Sequence, residues 1–443
     1  MLLLPIIASL GSAVAVSAWT TVRKTDQGPT GYVVDFRYDP LPTDPVATKV
    51  YLNGLLQISD HLHSSQSQYD NFTPDQFTAD KFMVFPPITY EMDYDAVTKT
   101  WIKSVPMQSG AWNYNFYVDC DPSVDPLTFR PVNNCTAPGV LDRHNPPISP
   151  AYGDQLTSTV VVPFDGRFQI RDYDYVLPLS DGSRRGNISF FNYPSPGSTV
   201  PSADIHTAGI YLPSGYGQNS SQKYPVLYLS HGGGGGAGDW FSQGRAHDIL
   251  DNLIAAGDLE PTIVVTPTFY GFNFTIPGTA SNETGELGFD TVGLNRFYDL
   301  VRRSYLDYLV PYVETNRQAE TTPDRRAFGG LSLGGGLTLN MLFNATEDFS
   351  HFAVMSNIPS PLPTDPIWNK TALREVGILS AGGFYDIAFE NVRNFQTRLA
   401  LNNLFTLTNW VFESHHDWRL WSNTLYVWGK SGLWGKVPYD MYS

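Results

Sequence analysis

At 443 residues, 42% of them hydrophobic, 14% aromatic and 16% charged, the chain has enough apolar material for two packed domains and the wrong composition for disorder. Lys and Arg number 28 against 43 Asp and Glu, a formal net charge of −15 without any basic cluster. That balance argues against nucleic acid or an anionic membrane surface as partner.

The chain opens on an uncharged apolar run, MLLLPIIASLGSAVAVSA, closed by small residues. It reads as a signal peptide over residues 1–18, cut after Ala18 with Val16 and Ala18 at the two specificity positions. Pro5, Ser9, Gly11, Ser12 and Ser17, with no flanking positive charge, set the run apart from a membrane anchor. The expectation is therefore a secreted, extracellular protein with no membrane partner. Sequons beginning at Asn71, Asn134, Asn187, Asn219, Asn273, Asn282, Asn344 and Asn369 fit a secretory route and a glycoprotein. So do the two cysteines, Cys120 and Cys135, whose closeness in sequence predicts a disulfide rather than free thiols or a zinc site.

Short alternating segments at 31–38, 48–52, 88–92 and 112–118, broken by Pro, Asn, Asp and Gly, predict a β-sandwich over residues 19–150. Trp101, Trp112, Tyr114 and Tyr117 within it are either core or a sugar-stacking platform, with core packing the commoner role of such aromatics. A stretch at 138–153 rich in Pro and polar residues marks a domain boundary near residue 150. Beyond residue 207 the texture changes. Apolar runs at 226–230, 263–266, 326–329, 352–356, 376–380 and 408–412 predict buried strands, and 246–256 and 294–316 predict helices. Residues 151–443 thus read as α/β, a parallel sheet covered by helices.

Gly330-Leu331-Ser332-Leu333-Gly334 sits between a predicted strand and the helical stretch 335–343, the context of the nucleophile elbow of α/β hydrolases. A serine hydroxyl needs a base, and the base a carboxylate to orient it, in the chain order Ser, acid, His. Three histidines follow Ser332. His351 comes too early to follow an acid and is expected at a solvated strand end; His415 and His416 follow the strand 408–412 and lie where a base is needed, His416 favoured. Asp386, just beyond the strand 376–380, is the expected acid, with Glu390 as fallback; Asp365 lies in a Pro-rich insertion and Asp417 adjoins the histidine itself. The run of glycines after His231, 232–236, follows a strand and supplies a backbone N–H for an oxyanion hole, assigned to Gly233 and completed by the N–H of Leu333.

These residues resemble the putative-esterase group that holds the feruloyl esterases of carbohydrate esterase family 1, the enterochelin esterases and the mycolyltransferases. The resemblance is carried, over residues 205–430, by Tyr228-Leu-Ser-His-Gly-Gly-Gly, Asp239-Trp240-Phe241, the helix 246–257 and Pro261-Thr-Ile-Val-Val-Thr-Pro267. Asp307-Tyr308-Leu-Val-Pro311-Tyr-Val-Glu314, the elbow region 329–340, and His416-Asp417-Trp418 with Trp421 continue it, and the last selects His416 over His415. The chain departs from the family at Ser414-His415, where glycines usually precede the histidine, and at 270–293 and 359–375, loops expected to shape the substrate pocket. The N-terminal module resembles the immunoglobulin-like domain, akin to starch-binding modules, that precedes several such esterases. The resemblance implies an α/β-hydrolase fold behind an immunoglobulin-like β-sandwich, and a secreted serine esterase of feruloyl or acetyl esters on plant cell-wall polysaccharide. No metal or organic cofactor is implied. Alternatives are an acyltransferase or siderophore esterase of the same fold and, from another class, a carbohydrate-binding protein without turnover.

Overall fold

In the N-terminal part, period-2 alternation produces two antiparallel four-stranded sheets. One is ordered Thr21–Lys24, Tyr32–Tyr38, Thr100–Pro106, Asp93–Asp95; the other Ser158–Val162, Gly110–Val118, Val50–Gly54, Ile88–Glu91. This computed structural model describes residues 19–54, 56, 58–59, 71–72, 82–83, 88–123, 131–149, 157–272, 280–281, 287–288, 291–412 and 414–439. The expected signal peptide and the sequons at Asn273 and Asn282 lie outside them, as does much of the segment 270–293. Between the two sheets, Val34 and Phe36 meet Val50, Leu52, Trp112, Tyr114 and Phe116 in a shared core. The rings of Phe36 and Tyr114 pack edge-on at 4.9 Å. Trp101, Trp112 and Tyr114 are buried there and can stack on no sugar, so of the four aromatics only Tyr117 keeps an outward-facing position. Cys120 and Cys135 form the disulfide just after Gly110–Val118.

The boundary expected near residue 150 falls short of the last strand of this unit. Ser158–Val162 pairs antiparallel with Gly110–Val118, Val162 opposite Gly110. The Pro-rich stretch before it looked like a linker, yet its polar residues are tied down. Asp142 accepts a hydrogen bond from the Tyr114 hydroxyl at 2.8 Å and its N–H donates to Ser158 Oγ, while Val140 bridges to Phe116.

The larger part is one eight-stranded sheet in the order Asn187–Pro194, Ile205–Leu212, Ile263–Pro267, Val226–Ser230, Arg326–Leu331, His351–Met355, Gly377–Gly383, Leu407–Val411. Its first two pairings are antiparallel and the rest parallel. The parallel strands are buried on both faces, which is why they read as apolar runs. One face is covered by Thr291–Ser304, Val310–Asn316, Leu333–Asn344 and Phe389–Leu401, the other by Ala246–Ala256 and Trp418–Ser431. The helix read at 294–316 is interrupted by a π turn, Tyr305–Leu309. Pro311 explains it: with no N–H for the carbonyl of Asp307, the chain widens just before the proline.

The two-sheet unit rests on the second face. Ala111, Ile148 and Val161 pack against the core that holds Leu250, Trp418 and Leu420. Arg419 is buried at this seam, its guanidinium 4.5 Å from the ring of Tyr173 and 5.9 Å from that of Trp112. His351 corrects one expectation. It is buried rather than solvated, with Ser350 Oγ at Nδ1 and the carbonyl of Gly435 at Nε2.

Burial pushes the imidazoles of His206 and His231 down to about 4 from the usual 6.5. Between those values the unfolded chain binds protons that the folded chain refuses. Their contribution to stability is therefore complete above about pH 6.5 and is lost as pH falls toward 4. Burial also lowers His247, to about 3, and His351, and it raises Asp248, to about 6, with Asp174, Asp251, Asp348 and Asp417, which act in the opposite sense; the four rings begin to lose their contribution at about pH 6.5, above the point where the Asp248 carboxyl takes up its proton. The expected outcome in calorimetry is a thermal midpoint that falls from about pH 7 to about pH 5; a flat profile would mean the rings are not held neutral.

Candidate active site

Five strand ends of the large sheet, at Ser230, Leu331, Met355, Gly383 and Val411, point their loops to one edge, and the expected site residues all sit there. Ser332 caps the helix Leu333–Asn344 with φ 56° and ψ −117°, a conformation sparsely populated by any residue with a side chain. The flanking glycines are required by contact. A Cβ at Gly330 would stand 2.5 Å from the carbonyl oxygen of Gly334, and one at Gly334 would overlap the carbonyl oxygen of His231. The elbow is thus pressed against the end of Val226–Ser230, and its tight turn turns Ser332 out into a cleft.

The glycine loop begins there. Gly233 faces the elbow, since a Cβ on it would stand 3.1 Å from Leu333 Cδ1. Leu333 is the first helical residue, so its N–H has no acceptor within its own helix. Gly233 and Leu333 therefore lie together beside the serine, Gly233 lining the same cleft. The loop is braced from behind. His231 Nδ1–H donates to the carbonyl of Gly232 at 2.7 Å, and its Nε2 accepts from Thr268 Oγ1 at 3.0 Å, the ring stacked on Phe269. Asp239 accepts from the N–H of Gly236, and the hydroxyl of Tyr270 from that of Gly234 at 2.7 Å.

His416 and Asp386 meet. His416 Nδ1–H donates to Asp386 Oδ1 at 2.8 Å, which leaves Nε2 as the basic nitrogen. Asp386 is buried and also accepts from the N–H of Ala388 at 2.7 Å and from Ser356 Oγ at 2.5 Å. Trp421 Nε1–H donates in turn to Ser356 Oγ at 2.9 Å, and its ring meets that of His416 edge-on at 5.1 Å. Ser356 was not anticipated. It ends the strand His351–Met355 with φ 48°, next to the elbow's strand in the sheet, and no motif in the sequence announces it.

The alternatives go elsewhere. The ring of His415 stacks on Tyr385 at 5.4 Å while its N–H donates to Asp417. Asp417 caps the helix Trp418–Ser431 through the N–H groups of Arg419 and Leu420. Glu390 is exposed and paired with Arg393, and Asp365 caps a short turn at Ile367. The segment 359–375 does not reach the cleft; Trp368 instead closes the core against Phe343, its apolar bulk drawn inward. Ser332 and His416 line one cleft of about 200 Å³ with Gly232–Gly235, Thr157, Gln243, Trp418 and Trp421.

The family described as Putative esterase matches residues 203–428. An endo-1,4-beta-xylanase/feruloyl esterase of Xylanibacter ruminicola is 34% identical over 155 residues, 34% of this chain and 19% of that protein. Endo-1,4-beta-xylanase Y of Acetivibrio thermocellus is 33% identical over 204 residues, 41% of this chain and 17% of that one. The chain thus spans about a fifth of the length of these curated relatives. Among solved structures, the enterobactin esterase of Shigella flexneri superposes with a TM-score of 0.54 at 14% identity, over 94% of this chain and 96% of that one, a likeness of fold.

If contact at the elbow dictates its glycines, Gly334→Ala should lower the unfolding free energy by about 1–3 kcal/mol, the usual range for overpacking. Gly182→Ala, where a Cβ would meet nothing within 4 Å, should change it by less than about 0.5 kcal/mol. Denaturant titration of the two variants checks the contrast.

Proposed function

Because the chain belongs to the Putative esterase family, we propose that it is a secreted serine carboxylic-ester hydrolase working through an acyl-enzyme on Ser332. One observation carries the reading: a serine in a strained elbow shares a cleft with a histidine whose Nδ1–H is fixed on a buried carboxylate. His416 Nε2 takes the proton from Ser332 Oγ as that oxygen bonds to the ester carbon. The carbonyl oxygen, now negative, is held by the N–H groups of Gly233 and Leu333. The C–O bond to the alcohol then breaks, and His416 gives its proton to the leaving oxygen. Water enters by the same route and frees the acid. Asp386 keeps the imidazole in the tautomer that both halves need, and Ser356 with Trp421 keeps Asp386 in place.

The substrate we propose is a feruloyl or acetyl ester on plant cell-wall polysaccharide. Support comes from the Xylanibacter ruminicola relative, whose name joins xylanase and feruloyl esterase. Secretion is supported by the disulfide and by the sequon residues Asn134, Asn187, Asn219, Asn344 and Asn369, all exposed. The two facing antiparallel sheets support an immunoglobulin-like reading of the N-terminal unit.

Ser332→Ala should remove nearly all hydrolysis of methyl ferulate, together with labelling by a serine-directed fluorophosphonate followed by mass spectrometry; a variant that keeps a large fraction of turnover would refute the assignment. Ser356→Ala takes one hydrogen bond from Asp386, and a bond to a charged group is worth roughly 1.5–3 kcal/mol. Steady-state kinetics should show kcat lowered by about tenfold or more with KM nearly unchanged.

A further inference from the structure

The cleft does not end at Ser332. Past His416 it continues into a second compartment of about 240 Å³ that shares Thr157, Gln243, His416, Trp418 and Trp421 with the first but contains neither Ser332 nor any residue of the glycine loop. Its other wall is the N-terminal unit, through Asn53, Asn113 and Asn115.

We propose that this wall is the alcohol subsite of the esterase, where the neutral, polyhydroxylated leaving group lies along the outer face of the sheet that carries Asn53, Asn113 and Asn115; the inference rests on the esterase reading above. The direction follows from proton transfer. In the acyl step the carbonyl oxygen turns to the glycine loop, and the oxygen of the alcohol turns to the histidine that protonates it. A space that opens from His416 and leaves the glycine loop behind therefore receives the alcohol.

The register of the sheet supplies the chemistry. Along Gly110–Val118, Trp112, Tyr114 and Phe116 enter the core, so Asn113 and Asn115 share the opposite face. On that face Asn115 stands opposite Asn53, Asn53 opposite Thr89, and one step farther out Tyr117 opposite Tyr51. Asparagine is disfavoured in strands, yet three stand on this face, Asn53 donating to Thr89 Oγ1 at 2.9 Å and Asn113 accepting from Thr159 Oγ1 at 2.9 Å. An amide can donate and accept, as a sugar hydroxyl requires, and half-buried tyrosines beyond offer ring faces to its C–H groups. Among the described residues lining the compartment none is Lys or Arg, which suits a neutral alcohol and not an anionic one. Asn113 Nδ2–H donates to Gln243 Oε1 at 3.0 Å, and Trp418 Nε1–H donates to the same oxygen at 3.0 Å, so the wall is held in register with the histidine loop.

The test compares Asn53→Ala and Asn115→Ala with the unaltered full chain on methyl ferulate and on a feruloylated oligosaccharide. The ratio of kcat/KM for the oligosaccharide ester to that for the methyl ester is expected to fall about tenfold in each variant. An unchanged ratio, including one in which both rates fall together, overturns the subsite. Independently of any variant, the free oligosaccharide at millimolar concentration is expected to compete with methyl ferulate in the unaltered chain, and absence of competition overturns the subsite as well. If the unaltered chain cleaves neither ester, the esterase reading itself fails and the subsite falls with it, an outcome distinct from methyl ferulate turnover without competition.

Discussion

Two pieces of backbone approach each other at the elbow more closely than side chains would allow. Gly334, in the first turn of its helix, lies against the carbonyl oxygen of His231 at the end of the neighbouring strand, and Ser332 between them takes up a conformation that costs of order 1–3 kcal/mol. What holds it is the sheet. The strands Val226–Ser230 and Arg326–Leu331 are hydrogen-bonded in parallel up to the residues that touch, Ser230 opposite Gly330, and both are buried on each face. Side-chain rearrangement cannot relieve the contact, because it is between main chains. The serine, the start of its helix and the mouth of the cleft all inherit their positions from that contact.

The histidine side is held differently, by a chain of polar side chains in a dry setting. Trp421, Ser356, Asp386 and His416 form consecutive hydrogen bonds, and each member except His416 is buried. Such a network specifies geometry well when every member is satisfied and poorly when one is lost. It also joins three separate strand ends and the terminal helix, so the imidazole is set by packing some distance from it. Asp417, one residue on, is spent on capping that helix, which is why a carboxylate beside the histidine in sequence is not the one beside it in space.

Much of this was legible in the sequence, for identifiable reasons. Fully buried parallel strands and glycine-bounded turns leave local signals, so 226–230 and the elbow could be placed from pattern alone, and the order of Ser332, Asp386 and His416 follows from which loops share an edge. Ser356 was not legible. Its role depends on Asp386, 30 residues away, and on a left-handed backbone that no local motif encodes. The strand Asn187–Pro194 also escaped, since at the edge of the sheet its burial is uneven and the pattern is weak. The N-terminal boundary was misplaced because proline and polar residues mark a linker and a tied-down loop equally well; only the partners of Asp142 separate the two.

Arg419 lies over Tyr173 and Trp112 three residues after His416, and it belongs to the same helix that carries Trp421. The seam between the two parts of the molecule is thus also the outer support of the loop that carries His416. A gene cut between the units, in the way modular enzymes are often dissected or recombined, would expose a buried guanidinium and strip Ala111, Ile148 and Val161 from the core they complete. Evolution faces the same restriction: the front unit cannot be traded for an unrelated module unless the newcomer covers that arginine where Trp112 now does.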